Sequence, residues 1–249
     1  MKIVALEFYK NGFMREAFAF GGSVEKEKIE LSKKYESSLQ NYLIDTGKEV
    51  ILVDTGVPVE TPDMEAKPDQ MIFSGEKVNN FVDALKKVGY EPKDIDKVIV
   101  THKHPDHTGE LRLFENSKIY ISEIEAEAMN LNGDNIVRVN FEDGEYKNFK
   151  ESHKISENIF MIPAYGHTKG NSIVVAEFGG LHYMFHGDVT YTDEALRRNA
   201  LSVVFEDIEL AKETLEKVRE FIKENDTVYL STHTPESIVS LKEKRVMKL

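Results

Sequence analysis

The chain contains no cysteine. Disulfides, thiolate nucleophiles, cysteine-based zinc fingers and iron–sulfur clusters are therefore excluded, and any transition metal must be held by histidine and carboxylates. Positive charge is scarce: 32 Lys and Arg stand against 44 Asp and Glu, a formal net charge of −12. So acidic a surface repels phosphate backbones, which argues against a nucleic-acid partner. No apolar run approaches the ~20 residues a membrane helix needs. The opening stretch, Met1 to Phe8, has neither the long apolar core nor the small-residue cleavage site of a secretory signal. The expectation is a soluble cytoplasmic protein with no membrane partner.

Hydrophobic residues make up 41% of the 249-residue chain and aromatics 10%, enough to bury a sizeable core. No linker interrupts it, so one domain over residues 1–249 is expected. Two strand–turn–strand units stand out: Tyr42 to Val53 around Gly47, and Ser172 to His186 around Gly179 and Gly180. Both second strands run into a Gly/Asp turn, at Asp54–Gly56 and at Gly187–Asp188, which reads as a weak internal duplication. Val78, Phe81, Val82, Leu85 and Val88 fall at helical spacing, with Ser74 as the expected cap and Gly89 as the stop. Lys97–Thr101 reads as a buried strand, Asp207–Asn225 as a helix and Thr227–Ser231 as a closing strand. Val57–Phe73, with three prolines among acidic residues, reads as a long loop of the lid or binding kind. The charged stretch from Gly21 to Lys34 reads as an exposed turn with a short helix.

The run His102-Lys103-His104-Pro105-Asp106-His107 follows the strand ending at Thr101. Residues two apart on an extended segment project to one side, so His102 and His104 converge on one point. Asp106 and His107 lie where the chain is expected to enter a helix near Glu110, turned toward a second point. Imidazoles with a carboxylate suit zinc, iron, cobalt, nickel or manganese. His167 and His233 sit at strand ends, and Asp188 ends the second hairpin. His153, His182 and His186 lie in a polar loop or inside a strand pattern and are not expected to be ligands.

With His102–His107, the motif Gly-His-Thr-x-Gly-Asn-Ser at 166–172, Gly187–Asp188, His233 and Val53-Asp54-Thr55-Gly56, the chain resembles the metallo-β-lactamase superfamily over nearly its whole length. The resemblance implies an α/β (α+β) fold, a four-layer αββα sandwich of two similar halves. It implies two divalent metal ions, zinc first, with iron, manganese, cobalt and nickel as alternatives. His102, His104 and His167 would bind one ion, Asp106, His107 and His233 the other, with Asp188 bridging and Asp54 ordering the site from behind. The best-known true β-lactamases place a cysteine in the second site, so antibiotic hydrolysis is not expected. The layout is similar to that of N-acyl homoserine lactonases, in the run Val88-Gly89-Tyr90-Glu91-Pro92 and in Tyr191, three residues after the bridging aspartate. Thr232-His233-Thr234-Pro235 departs from the Gly-His-Asp usual there.

The function so implied is a dinuclear hydrolase that opens an ester or lactone with a metal-bridging hydroxide, with Asp106 and Tyr191 as catalytic residues. Its partner is a small-molecule substrate, and a homodimer is compatible with the sequence. Alternatives on the same scaffold are a thioesterase of the hydroxyacylglutathione kind, a phosphodiesterase, an iron-dependent oxidoreductase or a non-catalytic metal-binding member. A phosphodiesterase wants basic residues at the metals, for which Lys103, Lys169, Arg197 and Arg198 are the candidates; the two arginines are also candidates to meet an anionic substrate group. Phe13, Met14, Phe18, Phe20, Met64, Met71 and Phe73 are candidates to line an acyl-chain groove.

Overall fold

The computed structural model describes residues 1–23 and 25–249. Its first half builds a seven-stranded sheet from β1 (Lys2–Arg15), β2 (Lys34–Asp45), β3 (Val50–Val53), β4 (Ile72–Lys77), β5 (Lys97–Val100), β6 (Lys118–Ser122) and β7 (Ile136–Val139). The spatial order is β4-β1-β2-β3-β5-β6-β7. Strands β4, β1, β2 and β3 pair antiparallel, β2 and β3 through a tight hairpin, and β3, β5, β6 and β7 pair parallel. Helices α1 (Glu16–Phe20), α2 (Phe81–Val88), α3 (Pro105–Thr108) and α4 (Glu123–Ala128) lie along this half.

The second half builds a five-stranded sheet in the order β12-β11-β10-β9-β8, from β8 (His153–Ser156), β9 (Ile159–Pro163), β10 (Ser172–Phe178), β11 (Leu181–Phe185) and β12 (Thr227–Leu230). Helices α5 (Asp193–Arg197), α6 (Ile208–Glu224) and α7 (Glu236–Glu243) complete it.

Alternation along the strands decides the layers, because successive side chains leave opposite faces of a sheet. Leu43, Leu52 and Val98 face outward onto Phe81 and Leu85 of α2, whereas Ile44, Ile51 and Ile99 face inward. The second sheet repeats this: Val174 and Ala176 meet the inward set, and Ile173 and Val175 pack under Leu215, Val218 and Ile222 of α6. The result is the expected four-layer αββα sandwich.

Several boundaries differ from the sequence reading. Ser74 lies inside β4, and Asn80 caps α2 by accepting the Asp83 N–H at 2.9 Å. Ile72 and Phe73 leave the long loop for β4, because they pair with Met14 and Phe13 of β1. The helix after the histidine run begins at Pro105 rather than near Glu110, since proline's fixed φ and missing N–H suit a first helical turn. His153 opens β8 rather than sitting in a loop. Gly89 stops α2 as expected, at φ 94°. Among the described residues no helix is long and apolar enough to cross a membrane.

Candidate metal centre

Five chain segments deliver polar side chains to one end of the sandwich. β5 ends at Val100 and carries Thr101 and His102 past the sheet. His104 caps α3, and its carbonyl accepts the N–H groups of His107 and Thr108, a tight turn that swings Asp106 and His107 to the next position. His167 follows β9, Asp188 follows β11 and His233 follows β12.

Among the described residues, two groups hold ligand atoms all within 4.8 Å of one another: His102, His104, His167 and Asp188, and beside them Asp106, His107 and His233. In the first, His102 Nε2, His104 Nδ1 and His167 Nε2 stand 3.0–3.2 Å apart. Ligand atoms about 2.0–2.1 Å from a tetrahedral zinc lie about 3.3 Å from each other, so this spacing suits one cation at the centre. In the second, His233 Nε2 lies 3.3 Å from Asp106 Oδ2 and 3.1 Å from Asp188 Oδ2. His107 Nε2 and Asp188 Oδ1 face each other at 3.4 Å, both buried and without a hydrogen bond. Buried orphaned donors and acceptors of this kind call for a partner, and a cation between them supplies it.

Electrostatics point the same way. Burial holds His102 well below the usual imidazole range and lowers His167 to about 4, so both stay neutral, the form that ligates metal. Burial opposes charging of His107 and His233 too, yet Asp188 and Asp106 outweigh it and raise both. Asp188 is held well below the carboxylate range in spite of burial, by His233 and His107. The carboxylates thus draw positive charge to this spot.

The imidazoles are oriented from behind. His167 Nδ1–H donates to the Val204 carbonyl at 3.1 Å, leaving Nε2 free. His107 Nδ1–H donates to Asp54 Oδ2 at 2.7 Å. Asp54, at φ 66°, also accepts the Thr101 N–H on Oδ1 and the Thr101 hydroxyl on Oδ2, at 2.8 and 2.9 Å. Sequence reasoning missed Thr101, whose signal was a hydroxyl ending a buried strand. It also missed Glu125, fully buried on α4, which accepts the N–H groups of Lys103 and Gly170 at 2.8 Å and so pins two ligand-bearing turns. No local pattern announces that role.

Tyr191 is buried, with its ring stacked on His233 at 4.9 Å and 18°. Burial and the nearby Asp188 hold its phenol well above its usual range, so it keeps its proton. Phe18 meets it edge-on at 5.0 Å. Of the other groove candidates, Met14 and Phe20 are fully buried core residues, whereas Met64 and Met71 are exposed. Arg197 reaches Asp193 and Glu194, and Arg198 reaches Glu16 and Glu194. Lys103 pairs with Glu206 at 2.7 Å. These cations are thus engaged within the protein. His186 is buried against Tyr229 at 3.9 Å and lies outside both groups of candidate ligands.

The sequence model of the metallo-beta-lactamase superfamily matches residues 40–233, which contain every residue of both groups. The chain belongs to this superfamily. A Bacillus N-acyl homoserine lactonase is 26% identical over 199 residues, covering 77% of this chain and 79% of that protein. Among solved structures, an N-acyl homoserine lactone hydrolase with N-hexanoyl-L-homoserine bound at its catalytic metal center superposes with a TM-score of 0.72 at 21% identity, over 96% of this chain and 95% of that one. AidC, a dizinc quorum-quenching lactonase, superposes with a TM-score of 0.65 at 16% identity, over 91% and 86%. At those identities the structures establish the shared fold. Like its relatives in the metallo-β-lactamase superfamily, the chain is an enzyme of the metal-dependent hydrolase class.

Proposed function

We propose that the chain is a dinuclear metallohydrolase that opens the ester or lactone bond of a small molecule, as N-acyl homoserine lactonases do. The observation that carries this is the convergence of seven side chains: His102, His104 and His167 around one position, Asp106, His107 and His233 around a second, and Asp188 reaching both. The ions are two divalent cations, zinc by preference given the imidazole-rich donor set. When bound there, such a pair supplies Lewis acidity and a water acidic enough to ionise near neutral pH.

The chain's own residues do the rest. Asp188, inside the group, fixes the separation of the two positions. Tyr191, protonated and stacked on His233, donates its phenolic O–H to the substrate carbonyl oxygen as negative charge develops there. Asp106, whose side chain is 29% exposed against 2% for Asp188, is the carboxylate of the two that an incoming water or substrate can reach. It takes a proton from the attacking water and returns it to the leaving oxygen. Three of the four candidate cations, Lys103, Arg197 and Arg198, are paired with carboxylates, leaving the exposed Lys169, which among the described residues has no ion pair; so little free positive charge favours an uncharged ester or lactone over a phosphodiester. With an acyl homoserine lactone as substrate, the biological outcome is quorum quenching. The reading includes a cytoplasmic location and one domain across residues 1–249, and it accommodates a homodimer.

Acid release at constant pH, followed across lactones of graded acyl length with metal quantified on the same sample, tests it. Stoichiometric acid from fully loaded protein is expected. Silence on every lactone at full metal loading removes the lactonase reading.

A further inference from the structure

Arg15 is the last residue of β1, the strand that lies between β2 and β4. Two loops enter those neighbouring strands beside it. The Arg15 N–H donates to the Met71 carbonyl at 2.8 Å, and the Glu16 N–H to the Lys33 carbonyl at 3.0 Å. Past the last ladder pairs, Arg15 with Lys34 and Met14 with Ile72, the loop carbonyls have no strand left to pair with. The Arg15 guanidinium takes them up: Nη1 donates to Leu31 at 3.2 Å, Nη2 to Pro68 at 2.6 Å and Nε to Gln70 at 3.1 Å. Only arginine offers several donors in a rigid planar fork, so one side chain fastens two loops to each other.

One loop borders the site directly, and the other follows α1, which packs on Tyr191. The segment holding Pro68 and Gln70 starts at the metal-binding turn, where Gly109 N–H donates to the Gly56 carbonyl at 2.8 Å and Val59 N–H to Glu110 Oε1 at 2.5 Å. At its other end Ile72 packs in the cluster that contains Tyr191. From Arg15 the chain continues into α1, whose Phe18 meets Tyr191 edge-on. Leu31, Val59, Met64 and Met71 on these segments are apolar and exposed. We propose that Arg15 is a positioning residue that ties together the two walls of the entrance to the metal centre and thereby sets which substrates fit. The assignment of an entrance rests on the hydrolase reading above; the fastening of the loops does not.

The test compares the metal-loaded full chain with Arg15→Ala and Arg15→Lys by amide hydrogen exchange and by kinetics. Arg15→Ala is expected to speed exchange in residues 28–33 and 58–70 about tenfold, with the strands unchanged. Arg15→Lys, which keeps the charge and loses the fork, falls between. KM for long-tailed lactones or esters rises about tenfold, whereas kcat on the shortest substrate and metal content stay at the wild-type level. Unchanged exchange in both loops overturns the proposal. So does faster exchange with the same KM pattern across tail lengths, which reduces Arg15 to a fastener of loops remote from substrate.

If no ester or lactone is turned over, the hydrolase reading fails on its own. The entrance is then probed by metal extraction with a small and a bulky chelator: preferential acceleration of the bulky one by Arg15→Ala supports the proposal, and equal acceleration overturns it. Should Arg15→Ala not fold, Arg15→Gln carries both arms.

Discussion

Thr101 connects the two candidate metal-binding groups through one hydroxyl. Its Oγ1 is 3.1 Å from His102 Nδ1 and donates to Asp54 Oδ2, the same oxygen that accepts His107 Nδ1–H. With His102 Nε2 turned toward the other imidazoles, Nδ1 carries the proton and Thr101 is its acceptor. Thr101→Val removes that acceptor while preserving shape. Metal affinity at the His102 position is expected to fall about 10–100-fold in a competition titration, with Thr101→Ser restoring it. A valine variant with wild-type affinity at both positions would sink this role. In the proposed mechanism Tyr191 acts on substrate instead. Tyr191→Phe should slow ring opening by ~10²–10³ with metal content unaltered, since one hydrogen-bond donor to a developing oxyanion is lost; an unaltered rate removes Tyr191 from the chemistry.

At the scale of elements, the turn after β9 shows how tightly the candidate ligand His167 is placed. Gly166 precedes His167 at φ 126°, and its carbonyl accepts the N–H groups of Glu206 and Asp207 ahead of α6. A Cβ added there would lie 2.2 Å from the Ala211 backbone nitrogen. Gly166→Ala therefore has to push α6 away from the turn and shift His167. A stability loss of about 2 kcal/mol or more, together with weakened metal binding, is the expected result in denaturant and titration experiments. Such elements were legible in unequal measure. Helix α6 was readable because Ala211, Leu215, Val218 and Ile222 repeat at helical spacing and Asp207 caps it by accepting two N–H groups at 3.0 Å. The start of α2 was not, because Ser74 and Asn80 are both good caps and only strand pairing of β4 with β1 claims the first.

For the molecule as a whole, pH is expected to act through a buried carboxyl that belongs to neither candidate metal-binding group. Asp193 on α5 is buried, its Oδ1 has no hydrogen-bond partner, and Arg197 approaches its other oxygen only to 3.7 Å. Burial, with Glu236 adding negative charge, raises its carboxyl to about 7 against the partial offset of Arg197 and Arg245. A carboxyl raised on folding favours the folded state fully below its unfolded value near 3.9. That contribution is lost as pH climbs through the folded value, up to on the order of 4 kcal/mol. Asp193→Asn should therefore match the wild type near pH 4 and melt at higher temperature above pH 7. Parallel melting curves for the two proteins across that range would contradict the account.

The amino-acid sequence by itself determined the chemistry available: no thiol, so histidine and aspartate as ligands, and a run at 102–107 dense enough to mark a metal site. It also marked several strands and helices, because apolar runs beside glycine turns and helical spacing are written within a few residues of each other, whereas the four layers were implied by the family resemblance. Only the tertiary structure brings the candidate ligands into two adjoining groups. It brought His167, Asp188 and His233 from three strand ends to the His102 run, and it showed Met14 and Phe20 as core rather than groove. It also spent Arg197 and Arg198 on carboxylates, and laid Arg15 across two loops. Those outcomes depend on contacts between residues far apart in the chain. The burial that creates such contacts is a property of the assembled sandwich, which no short stretch of sequence encodes.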